Sequence, residues 1–84
     1  MYMKAWCPYC RDAAALLARK GVDVAEIDIG KEPARRDEMV RLAGGRRTVP
    51  QIFVGGKHVG GCDDLYALDS EGELDPLIAS QRDQ

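Results

Sequence analysis

The sequence predicts an α/β fold with the element order β-α-β-α-β-β-α and a mixed sheet. Three observations predict it. Cys7-Pro8-Tyr9-Cys10 stands between a short strand-like run and an alanine- and leucine-rich helical pattern, the strand, C-x-x-C, helix context of a redox-active dithiol. Gly55-Gly56 joins two apolar runs as a two-residue hairpin turn. Glycine and proline punctuation at Gly21, Pro33, Gly44-Gly45 and Gly72 separates the remaining runs. Eighty-four residues make one small domain, placed at residues 1–79, with a polar tail over 80–84 that reads as disordered.

Met1 to Ala5 reads as the first strand. Pro8 fits the first turn of a helix, where its missing N–H costs nothing. That helix is expected to run to Lys20, with Ala13, Leu16 and Leu17 at helical spacing and Gly21 as its stop. Val22 to Ile29 reads as the second strand, because Ala25, Ile27 and Ile29 alternate with Glu26 and Asp28. Pro33 opens a second helix with Met39, Val40 and Ala43 as its apolar stripe, closed by Gly44-Gly45. Gln51 to Val54 and Lys57 to Gly60 are the hairpin strands. Asp63 and Asp64 sit at the positive end of a third helix that Gly72 stops. Asp75-Pro76 caps a last short helix over Leu77 to Ala79. The first βαβ unit is right-handed and parallel, and the hairpin is antiparallel.

A net charge of −2 with 31% charged residues gives no basic surface for nucleic acid or membranes. No signal peptide precedes the dithiol, no apolar stretch approaches membrane-spanning length, and three cysteines do not make a secreted disulfide scaffold. The expected setting is the cytoplasm. A first cysteine at a helix N-terminus meets unpaired N–H groups and the positive end of the helix dipole, which favour the nucleophilic thiolate. The second cysteine, one turn along, is placed to attack a mixed disulfide on the first. Zinc binding would need two further ligands, and only His58 and Cys62 remain, at a spacing unlike a knuckle. No metal site is expected.

Cys7-Pro8-Tyr9-Cys10, then Thr48-Val49-Pro50-Gln51-Ile52-Phe53, then Gly60-Gly61-Cys62-Asp63-Asp64-Leu65 resemble, in that order, the motifs of the dithiol glutaredoxins of the thioredoxin superfamily. The resemblance covers nearly the whole chain and is especially close to small bacterial members from Gly61 to Asp75. It implies a thioredoxin fold whose four-stranded sheet has the order second, first, third, fourth strand (β2-β1-β3-β4). It also implies a cis Val49–Pro50 bond. The implied activity is glutathione-dependent reduction of protein–glutathione mixed disulfides and protein disulfides, with Cys7 as nucleophile and Cys10 as resolving thiol.

The resemblance further implies a glutathione site of Lys4, Tyr9, Thr48, Val49, Pro50, Gly61, Cys62 and Asp63. Lys4 would pair with the glycine carboxylate, or is simply an exposed lysine at a strand end. Val49 would pair its backbone with the cysteinyl unit, in the manner of an added strand. Asp63 would hold the γ-glutamyl end, or cap its helix. Cys62 would serve through its backbone N–H rather than its sulfur. One of Arg46 and Arg47 would supply a cation. Trp6 stands where many relatives carry a small hydroxyl residue.

Glutathione is then a reducing cosubstrate and no cofactor is permanently bound. Glutathione reductase acts indirectly through glutathione, and the chain is expected to be a monomer. Two other functions compete: an iron–sulfur carrier, in which thiolates hold a [2Fe–2S] cluster between subunits, and a thioredoxin-like electron donor reduced by a flavin reductase.

Overall fold

The computed structural model of the chain describes residues 1–82. In chain order come strand β1 (Tyr2–Met3), helix α1 (Pro8–Arg19), strand β2 (Ile27–Asp28) and helix α2 (Pro33–Leu42). The hairpin strands β3 (Ile52–Val54) and β4 (Lys57–Gly60) and the helices α3 (Cys62–Ser70) and α4 (Leu74–Arg82) follow.

Local chemistry sets the helix ends. Pro8 and Pro33 are the first residues of α1 and α2. Gly21, at φ 75°, closes α1: its N–H donates to the Ala18 carbonyl and the Val22 N–H to the Leu17 carbonyl. The hairpin turn needs two successive positive φ values, met by Gly55 at 58° and Gly56 at 86°.

β1 and β2 are parallel, with Tyr2 opposite Ile27 and Met3 opposite Asp28. β3 and β4 are antiparallel, with an irregularity between Ile52 and Phe53. The two pairs meet at one antiparallel bridge, Tyr2 to Gln51, where each N–H donates to the other's carbonyl at 2.9 and 3.1 Å. The continuous four-stranded sheet expected from the sequence is therefore two short ladders joined at a single point. Pro50 brings no N–H to extend the bridge, and the irregularity at Ile52 turns β3 away.

Two expected lengths are corrected. The second strand, read as Val22 to Ile29, is ordered as a ladder only at Ile27–Asp28. The first strand, read as Met1 to Ala5, is likewise a ladder only at Tyr2–Met3; before it, the Met1 carbonyl accepts the Ile27 N–H at 2.9 Å and the Met1 ammonium donates to the Ala25 carbonyl at 2.8 Å. The polar tail expected from residue 80 is helical through Arg82, and α4 begins at Leu74 rather than Leu77. Leu74 and Ile78, one turn apart, are both buried and hold α4 on the core. Asp83 and Gln84, the rest of that expected tail, lie outside the described residues.

Strand alternation sorts the core into two faces. Met1, Ile52, Leu16, Leu17, Leu65, Leu74 and Ile78 form the larger cluster, where α1, α3 and α4 cover one face. Tyr2, Ile29 and Met39 form the smaller one, beneath α2, with Val49 and Phe53 packed against it. Each fully buried leucine contributes roughly 1.5–3 kcal/mol, so the helices rather than the short ladders hold this sheet together. The Tyr2 hydroxyl also donates to the Glu38 carboxylate at 2.6 Å, fastening α2 to β1. No helix among the described residues is long and apolar enough to cross a membrane.

Candidate active site

Cys7 is the residue that caps α1, in extended backbone, and its carbonyl accepts the Arg11 N–H. Its own N–H donates to the Lys4 carbonyl at 3.2 Å. That turn swings the chain from β1 into α1 and projects Trp6, 73% exposed, beside Cys7. Cys7 and Cys10 are free thiols, both buried. Burial pushes the Cys10 thiol up to about 12; a backbone hydrogen bond from Lys4 opposes the rise, while the neighbouring Cys7 sulfur and the charge at Cys62 add to it. Cys10 is thus a neutral thiol, and part of what keeps it so is the sulfur it would attack.

A cavity of about 390 Å³ opens beside the dithiol. Tyr9, from the first turn of α1, forms one wall. Thr48, Val49 and Pro50 form a second, and the start of α3 from Gly61 to Asp64 a third, with Arg46 at the rim. The Val49–Pro50 peptide is cis. Neither the Val49 N–H nor its carbonyl has a hydrogen-bond partner among the described residues. Cys62 is the first residue of α3, buried, its thiol held above the usual range first by burial and then by the charges of Asp12, Asp63 and Cys7. The N–H groups of Cys62 and Asp63, in the first turn, have no intrahelical acceptor.

Asp64, not Asp63, caps this helix. Its Oδ2 accepts the Gly61 N–H at 2.9 Å and pairs with Arg46 Nη1 at 2.9 Å, and those two contacts, in that order, hold its carboxyl below the usual range. Asp63 makes no hydrogen bond or ion pair with the described residues, so its carboxylate is available to a ligand. The cavity therefore carries both signs of charge: Arg46 paired with Asp64 at the rim, the unpaired Asp63 carboxylate, and the N-terminus of α3.

Tyr9, Thr48, Val49, Pro50, Gly61, Cys62 and Asp63, which the resemblance groups, all line this cavity. Lys4 does not. Its ammonium lies 5.7 Å from the centre of the Trp6 ring, and it borders a separate cavity with Cys10 and Arg11. Between the two open arginines, Arg46 borders the ligand cavity and Arg47 does not. Sequence reasoning missed the role of Asp64, although its place three residues after Gly61 is the spacing of a helix-capping acid. A slightly larger cavity, about 430 Å³, is lined by Leu17, Ile52 and Ile78 among others and by no cysteine.

The glutaredoxin family model matches residues 1–59. The chain is 55% identical to Glutaredoxin 3 of Escherichia coli K12 over 78 residues, 93% of each chain. It is 54% identical to a glutaredoxin of Pseudomonas aeruginosa over 80 residues, 95% of this chain and 94% of that one. Among solved structures, a buckwheat glutaredoxin–glutathione complex superimposes with a TM-score of 0.88 at 31% identity, covering 95% of this chain and 74% of that one. The solution structure of a Brucella melitensis glutaredoxin gives 0.79 at 57% identity, covering 92% and 83%. The architecture is accordingly the thioredoxin fold. Matching over most of its length in sequence and in structure, this chain belongs to the glutaredoxin family, the thiol–disulfide oxidoreductases.

Proposed function

We propose that the chain is a glutathione-dependent oxidoreductase that reduces protein–glutathione mixed disulfides and protein disulfides. The observation that carries this reading is the cavity walled by Tyr9 of the C-x-x-C motif, which offers an unpaired Val49 backbone together with a cation and two carboxylates. A tripeptide with a carboxylate at one end, and an ammonium and carboxylate at the other, matches it. In this reading Arg46 takes the glycine carboxylate, Val49 pairs with the cysteinyl amide, and Asp63 with the first N–H groups of α3 takes the γ-glutamyl end.

For a glutathionylated protein, the Cys7 thiolate attacks the glutathione sulfur. A Cys7–glutathione disulfide forms, the old disulfide breaks, and the protein leaves as thiolate and takes a proton from water. The thiolate of a second glutathione then attacks the bound glutathione sulfur. Glutathione disulfide leaves and Cys7 is again a thiolate. The net exchange consumes one free glutathione: its sulfur joins the glutathionyl sulfur taken from the substrate as glutathione disulfide, and the protein is left as a thiol.

For a protein disulfide, Cys7 forms the mixed disulfide with the protein, and Cys10 attacks the Cys7 sulfur to release it. Cys10 needs its proton until then. The hydrogen bond and charge from Cys7 that help hold the proton vanish once the Cys7 sulfur is bonded to substrate, so the resolving thiol becomes more acidic when it is required. The resulting Cys7–Cys10 disulfide is reduced by two glutathiones, and glutathione reductase recycles the product. The reading includes a monomer working in the cytoplasm.

The test is intact-mass analysis with steady-state turnover on a small glutathione mixed disulfide and on a protein disulfide. Wild type is expected to turn over both. Cys7→Ser is expected to lose both. Cys10→Ser is expected to keep the first, lose the second and accumulate one glutathionyl group. No turnover of wild type with glutathione as reductant refutes the proposal.

A further inference from the structure

Gln51 is the buried polar residue of this core, with no exposed surface, and it follows Pro50 on the cavity wall. Its side chain is fully used. Nε2 donates to the Thr48 carbonyl at 2.9 Å and to Thr48 Oγ1 at 3.2 Å. Oε1 pairs with His58 Nε2 at 2.7 Å. Because Oε1 can only accept, His58 Nε2 is the donor, and this fixes which end of the carboxamide faces Thr48. His58 is itself held on β4 by the Phe53 ring, at 4.9 Å between centres. A polar side chain buried this deeply is stable only when so satisfied.

From this arrangement we infer that Gln51 is a positioning residue for the ligand cavity. Its side chain is not part of the cavity lining, but through Thr48, which is, it closes a ring over Thr48, Val49 and Pro50. That segment lies outside any ladder, Pro50 has no N–H to anchor it, and Val49 has no backbone partner of its own. The two bonds to Thr48 add to the packing of Val49 on the smaller core cluster and hold the segment in one conformation before a ligand arrives. A wall ordered in advance spares the ligand the cost of ordering it. Gln51 therefore acts on binding and not on the chemistry at Cys7. His58, from the opposite strand, is the outer anchor of the same chain of bonds. The inference rests on the glutathione reading for its ligand, but not for the ordering of the wall.

Gln51→Met keeps the volume and removes both donors; Gln51→Glu keeps the acceptor for His58 and removes the donors. Both are expected to raise KM for a small glutathione mixed disulfide roughly tenfold, the loss of one to two hydrogen bonds. The value of kcat is expected to stay within about twofold, because the interaction removed serves ground state and transition state alike. Backbone NMR order parameters at Thr48 and Val49 are expected to fall from about 0.85 to below about 0.6. His58→Phe, which keeps a ring on Phe53, is expected to move both readouts in the same direction by less, and to add nothing to Gln51→Met. It also serves if Gln51→Met does not fold. Folded variants with wild-type KM and wild-type order parameters overturn the inference, as does a loss confined to kcat. If wild type shows no glutathione turnover, the functional reading fails and the order parameters alone decide the role of Gln51.

Discussion

Arg46 and Asp64 stand 18 residues apart in the chain and 2.9 Å apart in space. The pair straps the loop before Thr48 to the first turn of α3. The same Asp64 oxygen that meets the guanidinium also caps the helix at Gly61. One carboxylate thus sets the distance between two walls of the cavity.

Breaking the strap is expected to act on binding more than on stability. Both side chains are nearly half exposed, and such pairs contribute about 0.2–1 kcal/mol. Asp64→Asn keeps a helix cap and removes the charge; Arg46→Ala removes the cation proposed to meet the ligand. Each is expected to raise KM for glutathione mixed disulfides several-fold, Arg46→Ala more steeply, with the thermal midpoint little changed. Adding salt is expected to weaken binding to wild type and to affect Arg46→Ala far less.

Gly60→Ala is expected to damage the same region by another route. Gly60 sits at φ 118°, and a Cβ there would run into the Asp64 carboxylate and the Arg46 guanidinium. Strain in the backbone and displacement of the strap add together. The expected loss is about 1–3 kcal/mol of stability by denaturant melt, with a larger fall in kcat/KM than either strap variant shows.

Alkylation checks the state of Cys10. With its thiol pushed up to about 12, Cys10 is expected to resist iodoacetamide in the reduced protein at pH 8, by peptide mass mapping. The sign for stability follows. A raised folded value means that the folded state keeps a proton the unfolded chain gives up near 8.5–9. Stability from this group is whole below that pH and declines as pH rises toward 12. Cys10→Ser is expected to flatten that alkaline decline.

The acid limb is expected to depend on Glu38. The Tyr2 hydroxyl first, and Arg35 next, hold its carboxyl below the ordinary value. Stability from this group is whole above the unfolded carboxylate value and is lost as pH falls through the lowered one. Tyr2→Phe is expected to shift the acid unfolding midpoint to higher pH, and also to flatten part of the alkaline decline, because burial and then the Glu38 contact raise the Tyr2 hydroxyl in the folded state. An unchanged acid midpoint would show that the Tyr2–Glu38 contact does not fasten α2 to β1.

What could be read beforehand is what local chemistry decides. Pro8, Pro33 and Gly21 bound helices by their own backbone constraints, and Gly55-Gly56 makes a hairpin whatever surrounds it. The length of β2 could not be read so, because Val22 to Glu26 have good strand character and lack only a partner, and partners are a tertiary matter. The helicity of residues 80–82 was hidden for the same reason: their composition is polar, and the burial of Leu74 and Ile78 carries them. In the candidate site, the residues that act through the backbone at motif positions came together. Arg46 against Arg47, Lys4 over Trp6, and the bonds of Gln51 depend on where long side chains end, which spacing along the chain does not specify.

Trp6 is the chain's one tryptophan, and it is carried largely exposed next to Cys7, with the Lys4 ammonium above its ring. The molecule thereby contains its own optical reporter. Indole emission responds to the charge and the sulfur chemistry around it, and no second tryptophan dilutes the readout. Under the proposed mechanism, each turnover step at Cys7 would change what Trp6 faces: a free sulfur, a bulky mixed disulfide, then an internal disulfide with Cys10. Stopped-flow fluorescence on the unlabelled protein can follow these steps one by one, which turns an exposed aromatic side chain into a means of timing the catalytic cycle.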